Sequence, residues 1–259
     1  MNNHKFHMVN NSPWPILISF TLLSLTTSAV VWMHKNDSLL MMISFMLIMT
    51  LSFQWWRDII RESTFQGIHN KKIIKLMKWG MMLFILSEIM FFISFFWTFF
   101  HMSLSPSIEI GLNWPPLGVE PMKPMNIPLL NTVILMSSGV SITMAHNFIL
   151  NKMLTKTIKS MMITILLGIY FSMIQLYEYM ECSFSISDSV FGSTFFLMTG
   201  FHGIHVIIGT MFLIVSTIRM KMMHFSNNHM VGFEASAWYW HFVDIIWLML
   251  YISVYWWGM

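Results

Sequence analysis

The sequence predicts an all-α membrane protein with seven transmembrane helices, and three observations support this fold class. Hydrophobic residues make up 56% of the 259-residue chain, and charged residues make up only 10%. Apolar runs of about twenty residues recur along the chain, and each is long enough to cross about 30 Å of hydrocarbon as a helix. Lysine and arginine concentrate in alternate connections between these runs. A soluble globular domain does not fit this composition.

Prolines and aromatic pairs mark the ends of the predicted spans. Trp55 and Trp56 end the second span, as is typical at a membrane interface. The charged segment 57–78 that follows has helical charge spacing and is not predicted to be a simple loop. Five prolines within 102–126 forbid a regular helix there. We expect a single multi-pass domain over residues 1–259, with spans at about 14–33, 39–56, 79–100, 127–150, 158–179, 190–218 and 235–257.

The charge distribution gives the predicted orientation. Twelve of the 14 Lys and Arg residues fall on the side that also receives the N-terminus. The other side holds Lys35, Lys123 and an acidic turn predicted at 178–188. The positive-inside rule therefore places the N-terminus inside and the C-terminus outside. The first residues are not Arg-rich, so no transit peptide is expected. The lone Cys182 excludes an intramolecular disulfide.

Glu88 lies near the middle of span three, where a carboxyl group is costly. Placing an acid at the bilayer centre costs at least about 2.5 kcal/mol on insertion scales, so its presence indicates a function. No basic residue is expected at its depth. We predict a buried carboxyl whose role, in chemistry, proton handling or folding, the residues alone leave open; an independent proton-coupled transporter that uses Glu88 and Asp244 is one alternative. The side chains that share its helix face are all apolar: Met81, Phe84, Ile85, Phe91, Phe92 and Phe95.

Histidines in spans six and seven have two interpretations. His202 and His205 are three residues apart and share a helix face, so they can ligate a metal or hydrogen-bond across helices. Hydrogen bonding is favoured because their span contains no carboxylate. His241 and Asp244 are also three residues apart, and all four residues are predicted to be structural polar groups. Haem ligation is not expected, because no span has two widely separated histidines. Neither a metal site nor a catalytic site is predicted.

Basic and aromatic residues on the inside face suggest lipid binding. Arg61 with His69, and Arg219 with His224 from another inside loop, can bind a lipid phosphate. The alternative is that these arginines pair with acidic neighbours as ordinary positive-inside residues. Spacing alone does not separate the two interpretations. The small net charge of +3 gives no reason to expect a nucleic-acid partner.

Long motifs along the chain resemble the mitochondrial cytochrome c oxidase subunit 3 family. They occur in the family's order: WWRDIIRESTFQG, SEIMFFISFFWTFFH, GVSITMAHN, GSTFFLMTGFHGIHVIIG and FEASAWYWHFVDIIWLMLYISVYWWG. The resemblance implies a seven-helix inner-membrane subunit in which a lipid-filled cleft sets the first two helices apart from a five-helix bundle. It also implies an N-terminus in the matrix and a C-terminus in the intermembrane space.

The resemblance further implies a non-redox core subunit of the oxidase, which transfers electrons from cytochrome c to O2, reduces it to water and pumps protons. Haem a and copper would lie in partner subunits, and structural phospholipid would be bound here. Subunit 1 would be the main partner, with subunit 2 and nuclear-encoded accessory subunits. The chain would stabilise subunit 1 and support proton uptake, with Glu88 as the family's buried glutamate. The implied lipid-binding residues are Trp56, Arg61, Phe65, His69, Arg219, Lys221 and His224.

Overall fold

The computed structural model describes residues 7, 9–108, 111–226 and 229–258, and it contains seven long helices in this part of the chain. All seven are long and apolar enough to cross a membrane, so the predicted fold class is confirmed. The helices are α1 (Trp14–Lys35), α2 (Leu39–Thr64), α3 (Lys71–Leu104), α4 (Ile127–Leu150), α5 (Leu154–Glu181), α6 (Ser189–Lys221) and α7 (Val231–Leu250). A π-helical turn, Tyr251–Trp257, continues α7.

The charged segment after span two is two helices joined by a turn. The helix α2 continues past the apolar run to Thr64, as the charge spacing predicts. Gly67 then adopts a left-handed conformation with φ +62°, which reverses the chain at little steric cost. The Asn70 side chain accepts hydrogen bonds from the backbone N–H groups of Lys72 and Ile73, at 3.1 and 3.0 Å. This cap starts α3 before the predicted span, because helix formation does not require apolar residues.

The chain divides into two compact units, Met1–Leu76 and Met77–Met259. In the first unit α1 and α2 contact each other along their length. Ser24 Oγ donates to Ser44 Oγ at 3.3 Å, and near the other end Trp14 Nε1 donates to Asp58 Oδ2 at 2.9 Å. Small serines at the contact allow the two backbones to approach closely, as in membrane helix pairs generally. The single-domain organisation and the lipid-filled cleft remain predictions.

In the second unit, α7 lies at the centre of an aromatic core. Trp240 is completely buried, and its Nε1 donates to Ser138 Oγ on α4 at 2.9 Å. Gly168 on α5 makes room for the indole, since a Cβ there would lie 2.6 Å from Trp240 Cη2. The hydrogen bond from Trp240 to Ser138 and the space left by Gly168 together fix α7 against α4 and α5.

Between α3 and α4, no described residue forms part of a long helix. The chain instead makes a series of turns through its prolines, as predicted. Helix α4 resumes at Ile127, and Pro128 lies in its first turn, where no N–H donor is needed.

Candidate functional site

Glu88 on α3 contacts His205 on α6, within the second unit. Glu88 Oε2 lies 2.8 Å from His205 Nε2, and the side chains are 23% and 10% exposed. The prediction that no basic residue lies at the depth of Glu88 was therefore wrong. That prediction treated His202 and His205 as structural polar residues and did not pair either with Glu88, whereas the partner is His205, 117 positions later in the chain. An intramembrane acid requires a polar partner, and the single-span pattern does not reveal which one.

The hydrogen bonds of His205 restrict where its protons lie. Its Nδ1 is 2.7 Å from the backbone carbonyl of Phe201. Because a carbonyl oxygen only accepts, Nδ1 carries a hydrogen and one further proton lies between Nε2 and Glu88. The pair is then either a carboxylic acid with a neutral imidazole or a carboxylate with an imidazolium. Both forms are neutral overall, so a proton can cross the 2.8 Å contact without changing the net charge of the pair.

Aromatic rings surround the imidazole of His205. The ring of Phe92 meets it edge-on at a centroid distance of 5.2 Å, and the ring of Phe242 does so at 6.1 Å. Tyr239 stacks on it at 6.3 Å. These apolar faces exclude water from much of the imidazole surface and strengthen its hydrogen bond to Glu88.

His202 shares a helix face with His205 but has a different partner. Its Nε2 lies 3.2 Å from the backbone carbonyl of Val243 on α7, and its ring contacts Trp247 at a centroid distance of 5.0 Å. The side chain is completely buried. The two imidazoles therefore serve separate helix contacts, as the interhelical interpretation expects, and they do not share one ligand position.

Asp244 on α7 lies close to His241 and to α4. Its Oδ2 is 3.7 Å from His241 Nδ1, which is an ion-pair distance and longer than a hydrogen bond. The backbone of α4 approaches at Gly139, where a Cβ would lie 2.6 Å from Asp244 Oδ2. Asp244 is only 6% exposed, so it helps determine how closely α4 and α7 pack.

Glu178 fell in the overlap of predicted span five (158–179) and the predicted acidic turn (178–188); its place in the span is correct, and its place among the external acidic residues was wrong. The residue belongs to α5 and is completely buried. Tyr255 donates its hydroxyl hydrogen to Glu178 Oε1 at 2.6 Å, and Asn131 Nδ2 lies 3.5 Å from Oε2. Asn131 also donates to Gln175 Oε1 at 3.3 Å. Gln175 and Glu178 share one face of α5, and this spacing was the available signal for an inward-facing polar cluster.

The expected lipid-binding residues are distributed over both units. In the first unit Trp56 and Phe65 are exposed, as is Arg61, whereas His69 is 9% exposed. In the second unit the guanidinium of Arg219 lies over the Phe225 ring, 4.6 Å from its centroid. Lys221 ends α6 and is exposed, and His224 follows and is partly buried.

A separate group of possible metal ligands occurs in the first unit. It comprises His7, Glu62 and His69, which sequence reasoning did not connect. His7 lies far from the other two along the chain, so only the folded structure brings the three together.

Comparison with known proteins identifies the relatives of the chain. The family model described as cytochrome c oxidase subunit III matches residues 4–259. Cytochrome c oxidase subunit 3 of Aedes aegypti is 55% identical over 256 residues, covering 99% of this chain and 98% of the relative. The protein of the same name from Locusta migratoria is 53% identical over 257 residues, with 99% and 98% coverage. That of Tachyglossus aculeatus aculeatus is 52% identical over 255 residues, with 98% coverage of both.

Proposed function

Because the chain belongs to the cytochrome c oxidase subunit 3 family, we propose that it is a non-redox core subunit that stabilises subunit 1, holds phospholipid and supports proton uptake. It is a multi-pass inner-membrane subunit of the oxidoreductase complex, whose cofactors lie in other subunits, and its partners include those subunits. Subunit 2 and nuclear-encoded accessory subunits complete the proposed set of neighbours. The family assignment leaves no basis for the alternative of an independent transporter.

The Glu88–His205 pair carries the proton-uptake part of this proposal. Glu88 and His205 share one proton across a distance of 2.8 Å. The pair can take up or release one proton, and its net charge then changes by one unit. The partner is a histidine, the side chain whose ordinary titration lies nearest to physiological pH. We therefore assign the pair a role in relaying or buffering protons for a catalytic neighbour.

Substitutions that preserve shape test this role. In the assembled oxidase, Glu88→Gln keeps the size of the side chain and a hydrogen bond to His205, but removes the exchangeable carboxyl proton. We expect normal haem content and slower proton uptake during turnover, measured with a pH-sensitive dye in vesicles. Glu120→Gln, which changes an exposed acid, serves as the control. An uptake rate in Glu88→Gln equal to that of the control would contradict the role.

Lipid binding is supported by residues within each unit. Trp56 and Phe65 are 62% and 77% exposed, and such large apolar surfaces favour acyl chains and the interface over water. Arg61 is more than half exposed and supplies a charged group near them. Arg219 combines a cation with an aromatic face through Phe225. A phosphate with two acyl chains matches this combination of basic and apolar side chains.

The proposed orientation places the N-terminus in the matrix and the C-terminus in the intermembrane space. The Lys and Arg distribution supports it. Cys182, which follows α5, tests it, because an impermeant maleimide should label it from the intermembrane side only. Burial raises the pKa of the Cys182 thiol, so labelling is best performed above neutral pH. In a Cys182→Ser background, Lys156→Cys should be labelled only from the matrix side. The opposite pattern would reverse the topology.

A further inference from the structure

Three potential metal ligands meet in the first compact unit. His7 precedes α1, Glu62 lies in the last turn of α2, and His69 lies in the turn before α3. One nitrogen or carboxylate oxygen from each residue lies within 4.8 Å of those from the other two. His7 Nε2 is 3.8 Å from Glu62 Oε2, and the rings of His7 and His69 meet edge-on with centroids 5.6 Å apart. We propose that these side chains bind a divalent transition-metal ion of the zinc class.

The backbone of the turn fixes two of the ligands relative to each other. The N–H groups of Phe65 and Gln66 donate to the carbonyl of Arg61 at 3.0 and 3.1 Å, and the N–H of Ile68 donates to the carbonyl of Glu62 at 3.2 Å. With Gly67 in the left-handed conformation, these bonds close the C-terminus of α2. Glu62 and His69 therefore flank a hydrogen-bonded turn. Binding of a metal ion then has to order mainly the His7 side chain, so the entropic cost of binding is lower.

The ligand types select the class of ion. Zinc binds imidazole nitrogen at about 2.0–2.1 Å and carboxylate oxygen at about 2.0–2.2 Å, so tetrahedral ligand atoms lie about 3.4 Å apart. The 3.8 Å separation of His7 and Glu62 is close to this value, and small side-chain rotations suffice to close the triad. Magnesium and calcium prefer sets made only of oxygen, which two histidines do not supply. Three protein ligands leave a fourth position for water or another donor.

The neighbouring charges favour a cation over an anion at the triad. Arg57 and Arg61 both pair with Asp58, at 3.2 and 3.8 Å, whereas Glu62 pairs with His7. The carboxylate of Glu62 places a negative charge within 4.8 Å of a nitrogen of each imidazole. A metal ion would gain from the same charge and would bind both imidazoles in their neutral form. The side chains of His7 and Glu62 are 33% and 17% exposed, so an ion can enter from solvent.

Metal binding can be measured in the assembled oxidase. After a chelator wash, Zn²⁺ is titrated in competition with a fluorescent zinc chelator, using the wild type and the variants His7→Gln, Glu62→Gln and His69→Gln. We expect each variant to bind Zn²⁺ at least about tenfold more weakly at one site per chain. Losing a residue that only hydrogen-bonds to a metal ligand already weakens metal binding by about this factor, and losing the ligand itself should cost at least as much. His34→Gln changes an exposed histidine of the same unit and should leave that affinity unchanged.

A second measurement uses the natural chain and does not depend on a folded variant. Diethyl pyrocarbonate modifies free imidazole nitrogens, and mass spectrometry reports the modified residue. Zn²⁺ should protect His7, which is partly exposed, but not His34. Unchanged affinity in all three ligand variants, or modification of His7 that is equal with and without Zn²⁺, would overturn the proposal. The triad would then be an ordinary histidine–glutamate ion pair beside a second imidazole.

Discussion

Removing the Tyr255 hydroxyl tests how strongly the buried Glu178 depends on it. Tyr255→Phe leaves the ring in the core but removes the donor that lies 2.6 Å from Glu178 Oε1. Both side chains are essentially buried, so water does not readily replace the lost bond. The remaining contact, from Asn131 at 3.5 Å, reaches the other carboxylate oxygen and is weak.

Two ranges bound the expected loss of stability. Leaving a buried acceptor without its partner costs about 1–3 kcal/mol in proteins generally. Hydrogen bonds between transmembrane helices average only about 0.6 kcal/mol in double-mutant cycles, with a maximum of about 1.7 kcal/mol. The short O–O distance and the complete burial of Glu178 place this bond at the upper end of the membrane range. We therefore expect a loss of about 1–2 kcal/mol.

Thermal inactivation of the oxidase measures this loss, because large membrane complexes unfold irreversibly and their stability is expressed as a rate. A barrier lowered by about 1–2 kcal/mol shortens the half-life about 5- to 30-fold. Tyr251→Phe is the matched control, since its hydroxyl makes only a 3.5 Å contact with the carbonyl of Pro124. Glu178→Gln keeps an acceptor for Tyr255 and should lose less than Tyr255→Phe. Equal half-lives for Tyr255→Phe and Tyr251→Phe would refute the assigned importance of the Glu178 bond.

Two further substitutions test the packing and the lipid proposal. Gly168→Ala should destabilise the second unit by about 1–3 kcal/mol through overpacking, because its Cβ would lie 2.6 Å from Trp240 and 2.7 Å from Thr210. Gly200→Ala, which meets nothing within 4 Å, should lie within about 0.5 kcal/mol of the wild type in the same inactivation assay. Arg61→Ala combined with Arg219→Ala should lower the phospholipid that copurifies with the oxidase. Lipid mass spectrometry that found an unchanged amount would contradict their assignment as lipid ligands.

The helices were predictable because hydrophobic length is a local property of the chain. The fourth span was predicted at its observed bounds, Ile127–Leu150, since Pro128 and the preceding prolines mark its start. The start of α3 at Lys71 was not predicted, because the Asn70 cap begins the helix in charged residues that lie outside the apolar run. Hydropathy therefore located the spans, and side-chain caps determined where the helices begin.

Pairing between helices was much less predictable than the helices themselves. The sequence marked Glu88, His202 and His205 as unusual, because polar groups are costly in a bilayer. It did not join Glu88 to His205, since that contact depends on how α3 and α6 face each other. It also counted Glu178, at the end of span five, among the residues of the external acidic turn, because the acidic residues after it resemble a surface segment. The structure buries Glu178 by supplying partners from α4 and from the π-helical turn.

The partners of the two buried acids separate their proposed roles. Tyr255 and Asn131 offer Glu178 hydrogen-bond donors, and neither a phenol nor an amide readily takes a proton from a carboxylic acid near neutral pH. An imidazole does, so the partner of Glu88 allows the proton to lie on either residue. Complete burial alone would have favoured Glu178 as the proton-handling group, because Glu88 is the more exposed of the two. The chemistry of the partner, and not burial, is therefore the reason why we propose proton exchange for Glu88 and a packing role for Glu178.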